Sequence, residues 1–227
     1  MTAGGRNKMK FNNAYKGIKF LNASEIIGII NLLIYIAVSA VIITVTGGDM
    51  SDTVAKHFYE ITGSTQIIVL SNYAMLGSLI ISYIVLLIGI SKAKTDDPDF
   101  DKAFSFVCMG IVAHIIYMFA RGWFGVLFAA ALGILLLFFR LRVTSAVGHI
   151  AEKIGRNDMK DKVKFYSAVL IALTVIQFIC VVAVQVFSSI ATLMTVTSNI
   201  FSLIRTVIFI IYLSKALKML KEQNGDA

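Results

Sequence analysis

Charge is scarce in this chain: Asp, Glu, Lys and Arg make up 15% of its 227 residues, against about 25% in a soluble domain. With 58% hydrophobic residues and a mean hydropathy of +0.82, that scarcity excludes a soluble globule. It also excludes a disordered chain, which needs low hydrophobicity and high charge. A single Pro rules out a Pro-rich linker, and two Cys rule out a disulfide framework. Three His in the whole chain argue against a metal site. No GxxxxGK[ST], HExxH or GxSxG occurs, and the apolar runs hold no carboxylate pair. An enzyme is therefore not expected, and no cofactor is implied. The net charge of +8 comes without any nucleic-acid-binding module, so nucleic acid is not an expected partner.

What is present is a series of long apolar runs, each near the roughly 20 residues a transmembrane helix needs. They cover residues 25–46, 66–91, 103–120, 123–139, 163–187 and 191–214. The third and fourth meet at Arg121-Gly122; a single helix through both would be too long and would bury Arg121, so two spans are expected. The first run is too long for the apolar core of a signal peptide and reads as a retained helix. Every Lys and Arg except Lys56, Arg121 and Arg205 falls on one side of this pattern. The positive-inside rule then places both termini in the cytoplasm. The expectation is an all-α, polytopic integral protein of the plasma (cytoplasmic) membrane, with six transmembrane helices in three helical hairpins. Its parts are a basic segment 1–22, hairpins 25–92, 103–148 and 161–217, and a tail 218–227. The outer loop 47–65 is long enough for a small helix over 51–61. The sequences Lys16-Gly-Ile-Lys-Phe20 and Lys162-Val-Lys-Phe165, with Ser91-Lys-Ala93 and Ser214-Lys-Ala216, suggest that the outer two hairpins are duplicates.

At 100° per residue, polar positions in the spans gather on faces. Gly28, Asn31, Tyr35, Ser39 and Thr46 share an arc of the first span, and Ser71, Ser78, Ser82 and Gly89 share a line on the second. Thr174, Gln177 and Gln185 share a face of the fifth; Thr195, Ser198, Asn199, Ser202, Arg205 and Thr206 share one of the sixth. Such residues face protein or water rather than lipid, so these four helices are expected to surround a polar interior. Arg205 stands out. It lies about 15 Å from Lys215 along the helix, near mid-bilayer, where a guanidinium costs about 2.5–3.5 kcal/mol on insertion scales. It remains protonated and needs a partner. Glu25, Asn31, Gln177 or an external anion fit that need; so do backbone carbonyls.

His114, Tyr117 and Arg121 share one face of the third span and mark either an interfacial belt or an outer basic vestibule. Gly125, Ala129 and Gly133 form a small-xxx-small row for close helix approach, within the bundle or between copies in a homo-oligomer. Asp96, Asp97, Asp99 and Asp101 around Pro98 read as a solvated turn that caps the next helix. Cys108 and Cys180 read as apolar packing. The leading functional expectation is a transporter or channel for a small anionic solute, with Arg205, Asn199, Ser202, Asn31 and Gln177 as its binding residues. The alternative is a non-transporting scaffold or accessory subunit whose polar faces pack helices. In either case the basic loops are expected to meet anionic lipid head groups.

Overall fold

A computed structural model describes residues 11–46, 66–120, 122–186 and 191–223, with side chains at 11–37, 73–120, 123–184, 186 and 193–223. Among the described residues there are six helices and no strand: α1 (Asn12–Thr46), α2 (Gln66–Ala93), α3 (Pro98–Phe119), α4 (Gly122–Lys153), α5 (Asn157–Val186) and α6 (Ala191–Gln223). All six are long and apolar enough to cross a membrane. The expected 47–65 loop helix, Lys56 and Arg121 lie outside the described residues.

Consecutive helices pack side by side, and α6 returns to α1, closing a ring. The neighbours run antiparallel. Asn13 meets Thr95, Ser24 meets Ser82 and Asn31 meets Ser78 along α1 and α2. Asp97 meets Lys153 and Phe106 meets Phe138 along α3 and α4. Tyr166 meets Tyr212 and Arg156 meets Glu222 where α5 meets α6. At the α1–α2 crossing the backbones touch: a Cβ added to Gly89 would stand 2.9 Å from the Gly17 carbonyl oxygen.

The helices outrun a bilayer. α1 has 35 residues and α6 has 33, which at 1.5 Å per residue is about 50 Å, against a hydrocarbon core of ~30 Å. The surplus lies at the end carrying most of the Lys and Arg, called the basic end below. The fourth apolar run was expected to stop at Phe139, with Arg140 and Arg142 in a loop. Instead α4 continues to Lys153, so both arginines are helical. The turn into α5 is short. Gly155 sits at φ 77°, Arg156 N donates to Ala151 O, and Gly155 N donates to Glu152 O. That is a Schellman closure, which needs a left-handed residue at this point. Similarly, α1 begins within the basic segment 1–22, ahead of the apolar run expected from residue 25, its Ala14 N–H held by the Asp96 carboxylate at 2.6 Å.

Packing differs between the two ends for a physical reason. Within lipid, no hydrophobic force drives helices together; where they project into water, it does. Accordingly the fully buried large side chains cluster towards the basic end: Ile18 and Leu21 of α1, Ile90 of α2, Phe100 of α3, Phe139 and Ile150 of α4, and Phe209, Tyr212 and Leu220 of α6. Farther along, Ile26, Ile30 and Leu33 of α1, Ile80, Ile84 and Ile88 of α2, and Phe124, Leu127 and Ile134 of α4 point outward and exposed. These are lipid-facing stripes.

Candidate functional site: a cavity floored by a buried ion pair

Beyond the packed layer the ring encloses a cavity of about 570 Å³. Five helices line it, and its polar wall includes Ser24, Glu25 and Asn31 of α1, Ser82 and Tyr83 of α2, His114 and Tyr117 of α3, Arg140 of α4, and Ser202 and Thr206 of α6. Gly28 adds open space, with no atom within 4 Å of where a Cβ would stand. A second cavity, about 540 Å³, shares Tyr35, Tyr117 and Met118 with the first and continues between α4, α5 and α6 past Ser198 and Asn199. Towards the basic end the first cavity is lined by Phe139 and Arg140, both buried.

The floor is an ion pair. Arg140 donates through Nη2 to Glu25 Oε2 at 2.7 Å and through Nε to Glu25 Oε1 at 3.4 Å. Its Nη2 also donates to Thr206 Oγ1 at 3.2 Å. The geometry follows from helix direction. Side chains lean towards their helix's N-terminus. Glu25, on a helix leaving the basic end, leans back towards it; Arg140, on a helix arriving there, leans away from it. The two therefore meet between the helices. The guanidinium also lies over the Phe209 ring, 5.4 Å from its centroid. Arg140 is only 6% exposed, and its Nη1 has no hydrogen-bond partner.

Arg205 stands close by without lining the cavity. It is 4% exposed, donates through Nη1 to Thr174 Oγ1 of α5 at 3.1 Å, and leaves Nε without a partner. Thr174 passes its own proton to Leu170 O at 2.8 Å, which frees a lone pair for the arginine. Glu25 and Arg140 both act electrostatically on Arg205. Arg140 alone is ion-paired with Glu25, and Arg205 is held by Thr174; counted together, the two guanidiniums and one carboxylate leave one net positive charge.

The other expected residues are distributed as follows. Ser202 lines the central cavity, as does Asn31, whose side-chain oxygen accepts from Ser78 Oγ. Asn199 lines the second cavity. Gln177 lies elsewhere, in an apolar groove of about 250 Å³ between α4 and α5. Of the polar face expected on the fifth helix, Thr174 meets Arg205 and Gln177 lines the groove, neither of them lining the central cavity, while the side chain of Gln185 lies outside the described residues. His114 lies inside the bundle, 3.4 Å from the Tyr83 hydroxyl and edge-on to Tyr117, rather than at the rim. Gly125 and Ala129 line the second cavity, and Ala129 and Gly133 line the groove; nothing lies within 4 Å of a Cβ placed on Gly133. Within the chain, Gly133 makes no close approach to another helix.

Reading the sequence missed Arg140 as an intramembrane group, and with it the Glu25 pair. The signal was present: Arg140 and Arg142 directly follow an apolar run with no helix breaker between, so the helix was free to continue.

At the basic end the acidic turn is a hub rather than a solvated loop. Asp97 caps α3, accepting from Asp99 N at 3.0 Å. Both carboxylates are buried and paired, Asp97 with Lys153 and His149, Asp99 with Lys102 and Arg142. Asp97, Asp99 and His149 lie close enough to hold a metal ion together, but three cationic side chains already neutralise the two acids. Arg156 ties α5 to α6 through Asp158 and Glu222, and these hydrogen bonds push its pKa above the ordinary arginine value. In the two expected repeat signatures the closing lysines lie over rings that are not equivalent: Phe20 is part of its motif, whereas Tyr166 follows Phe165. Lys92 lies over Phe20, 4.4 Å from its centroid, and Lys215 lies over Tyr166 at 5.7 Å.

The fold and site define a multi-pass membrane protein: six membrane-length helices around a mostly apolar cavity bordered by a buried Arg140–Glu25 pair. No known family, curated protein or solved structure matches the chain.

Proposed function

We propose that this protein is a carrier for a small anionic solute, set in the cytoplasmic membrane with its basic end in the cytoplasm. One observation carries the reading: a buried Arg140–Glu25 pair lies on the wall of a cavity inside the helix ring, with a second buried guanidinium, Arg205, behind that wall. A buried charge is expensive and is kept near lipid where it binds or moves something. The excess of guanidinium over carboxylate groups in this region supports an anion as the solute. The buried layer at the basic end favours a carrier over a channel, because flux then requires that layer, between α1, α4 and α6, to open. The binding residues are Arg140 and Thr206 at the floor, Ser202 and Asn31 on the walls and Asn199 towards the second cavity, with Arg205 supplying field from behind. No step of this function requires bond-making chemistry. Radiolabelled or fluorescence-reported anion uptake into vesicles reconstituted with the full chain tests it. Uptake above protein-free vesicles, reduced at least tenfold by Arg140→Gln, is expected; no uptake of any small anion tried would refute it.

A further inference from the structure

We infer that Glu25 couples anion binding to uptake of a proton. The inference rests on the reading of the cavity as an anion site, and goes on to assign its regulation. Arg140 is the one cationic group on the described cavity wall, and its Nε and Nη2 are already occupied by Glu25. Its free Nη1 is out of contact with solvent, and Arg205 is turned to Thr174 behind the wall. An anion entering from the cavity therefore reaches a guanidinium N–H only by displacing the Glu25 carboxylate.

The displaced carboxylate would remain beside the anion in a site of low dielectric. Like charges sharing such a site raise one another's proton affinity. A proton taken from the aqueous cavity onto Glu25 removes that repulsion. The charges balance: Arg140, Arg205 and ionised Glu25 give one net positive charge before binding. Arg140, Arg205, neutral Glu25 and a monovalent anion give the same after it. The groups facing Glu25 are Arg140 and Thr206 on α4 and α6, Ser24 on its own helix and Ser82 on α2, with Arg205 acting through space. Tyr83 and His114 stand farther along the same wall and are the rival proton acceptors.

Calorimetry on the purified full chain, in two buffers of different ionisation enthalpy, counts the protons taken up per anion bound. Chloride, formate and inorganic phosphate are the probes. Wild-type protein should take up close to one proton per monovalent anion, and its affinity should weaken by up to about tenfold per pH unit as pH rises. Glu25→Gln should bind with no proton uptake and no such pH dependence, whereas His114→Asn should behave as wild type. If Glu25→Gln fails to fold, the wild-type and His114→Asn measurements decide the question. Binding without proton uptake in the wild type overturns the coupling and leaves the anion site standing, as does uptake abolished by His114→Asn. Absence of binding heat for all three probes removes the anion site itself, and the coupling with it.

Discussion

Because a second buried guanidinium, Arg205, stands behind the Arg140–Glu25 pair, the members of the pair should differ in what their loss costs. The side chains of Arg140 and Glu25 are 7% and 11% exposed, so neither is well solvated by water. Glu25→Gln leaves two guanidiniums with no carboxylate between them. Stranding a buried charge in this way costs about 3–5 kcal/mol. Arg140→Gln leaves Glu25 without a direct partner but with the Arg205 charge still nearby behind the wall. The site then stays neutral, and the loss is that of hydrogen bonds to a charged group, ~2 kcal/mol. Adding Arg140→Gln to Glu25→Gln should restore part of the stability, because it removes one stranded cation. Reversible unfolding of detergent-solubilised protein, followed by helical circular dichroism, measures all three variants against wild type. Equal losses for the two single variants, or a larger loss for Arg140→Gln, would refute the argument that Arg205 belongs to the same electrostatic unit.

Further outcomes follow from the packing. Gly89→Ala pushes a methyl group into the Gly17 backbone and should cost about 1–3 kcal/mol as overpacking; unfolding midpoints check it. Gly28→Ala meets open space, so stability should hold or rise by up to ~1 kcal/mol, while Gly28→Trp should reduce uptake by filling the cavity. Tyr212→Phe removes a buried hydrogen bond to the Thr144 carbonyl, 2.9 Å long, and should cost about 1 kcal/mol without changing anion affinity. Asp97→Ala removes the α3 cap together with its contacts to Lys153 and His149. Stability should fall by at least ~1 kcal/mol, and hydrogen exchange should rise in the first turn of α3.

The hydrophobic runs made the number of helices readable, since lipid imposes a length on each. Asp97 was readable as a cap because Pro98 can open a helix but not continue one. What could not be read was where helices pass into water, because a charged residue ends a lipid span without ending a helix. Arg140 is that case: composition assigns it to the loop, yet the hydrogen-bond ladder runs on to Lys153. Arg205 was recognisable as costly, but its partner Thr174 has no distinguishing pattern; any of several polar side chains on the facing helices would serve equally. The cavity depends on how the helices are spaced around the ring, which no single helix encodes. The inward turn of His114 and the outward turn of Gln177 depend on the same spacing.

The account stands on a wet passage that reaches the Glu25–Arg140 floor, and side-selective thiol labelling addresses it directly. In a background with Cys108 and Cys180 replaced by Ala, Ser202→Cys places a thiol on the cavity wall and Ala146→Cys places one in the sealed layer. A membrane-impermeant, negatively charged thiol reagent added to oriented vesicles should modify position 202 from the side away from the basic end. It should react faster there than a positively charged analogue, lose that preference when Arg140→Gln is added, and leave position 146 unmodified. No reaction at position 202 from that side, or a faster reaction with the cationic reagent, would contradict it.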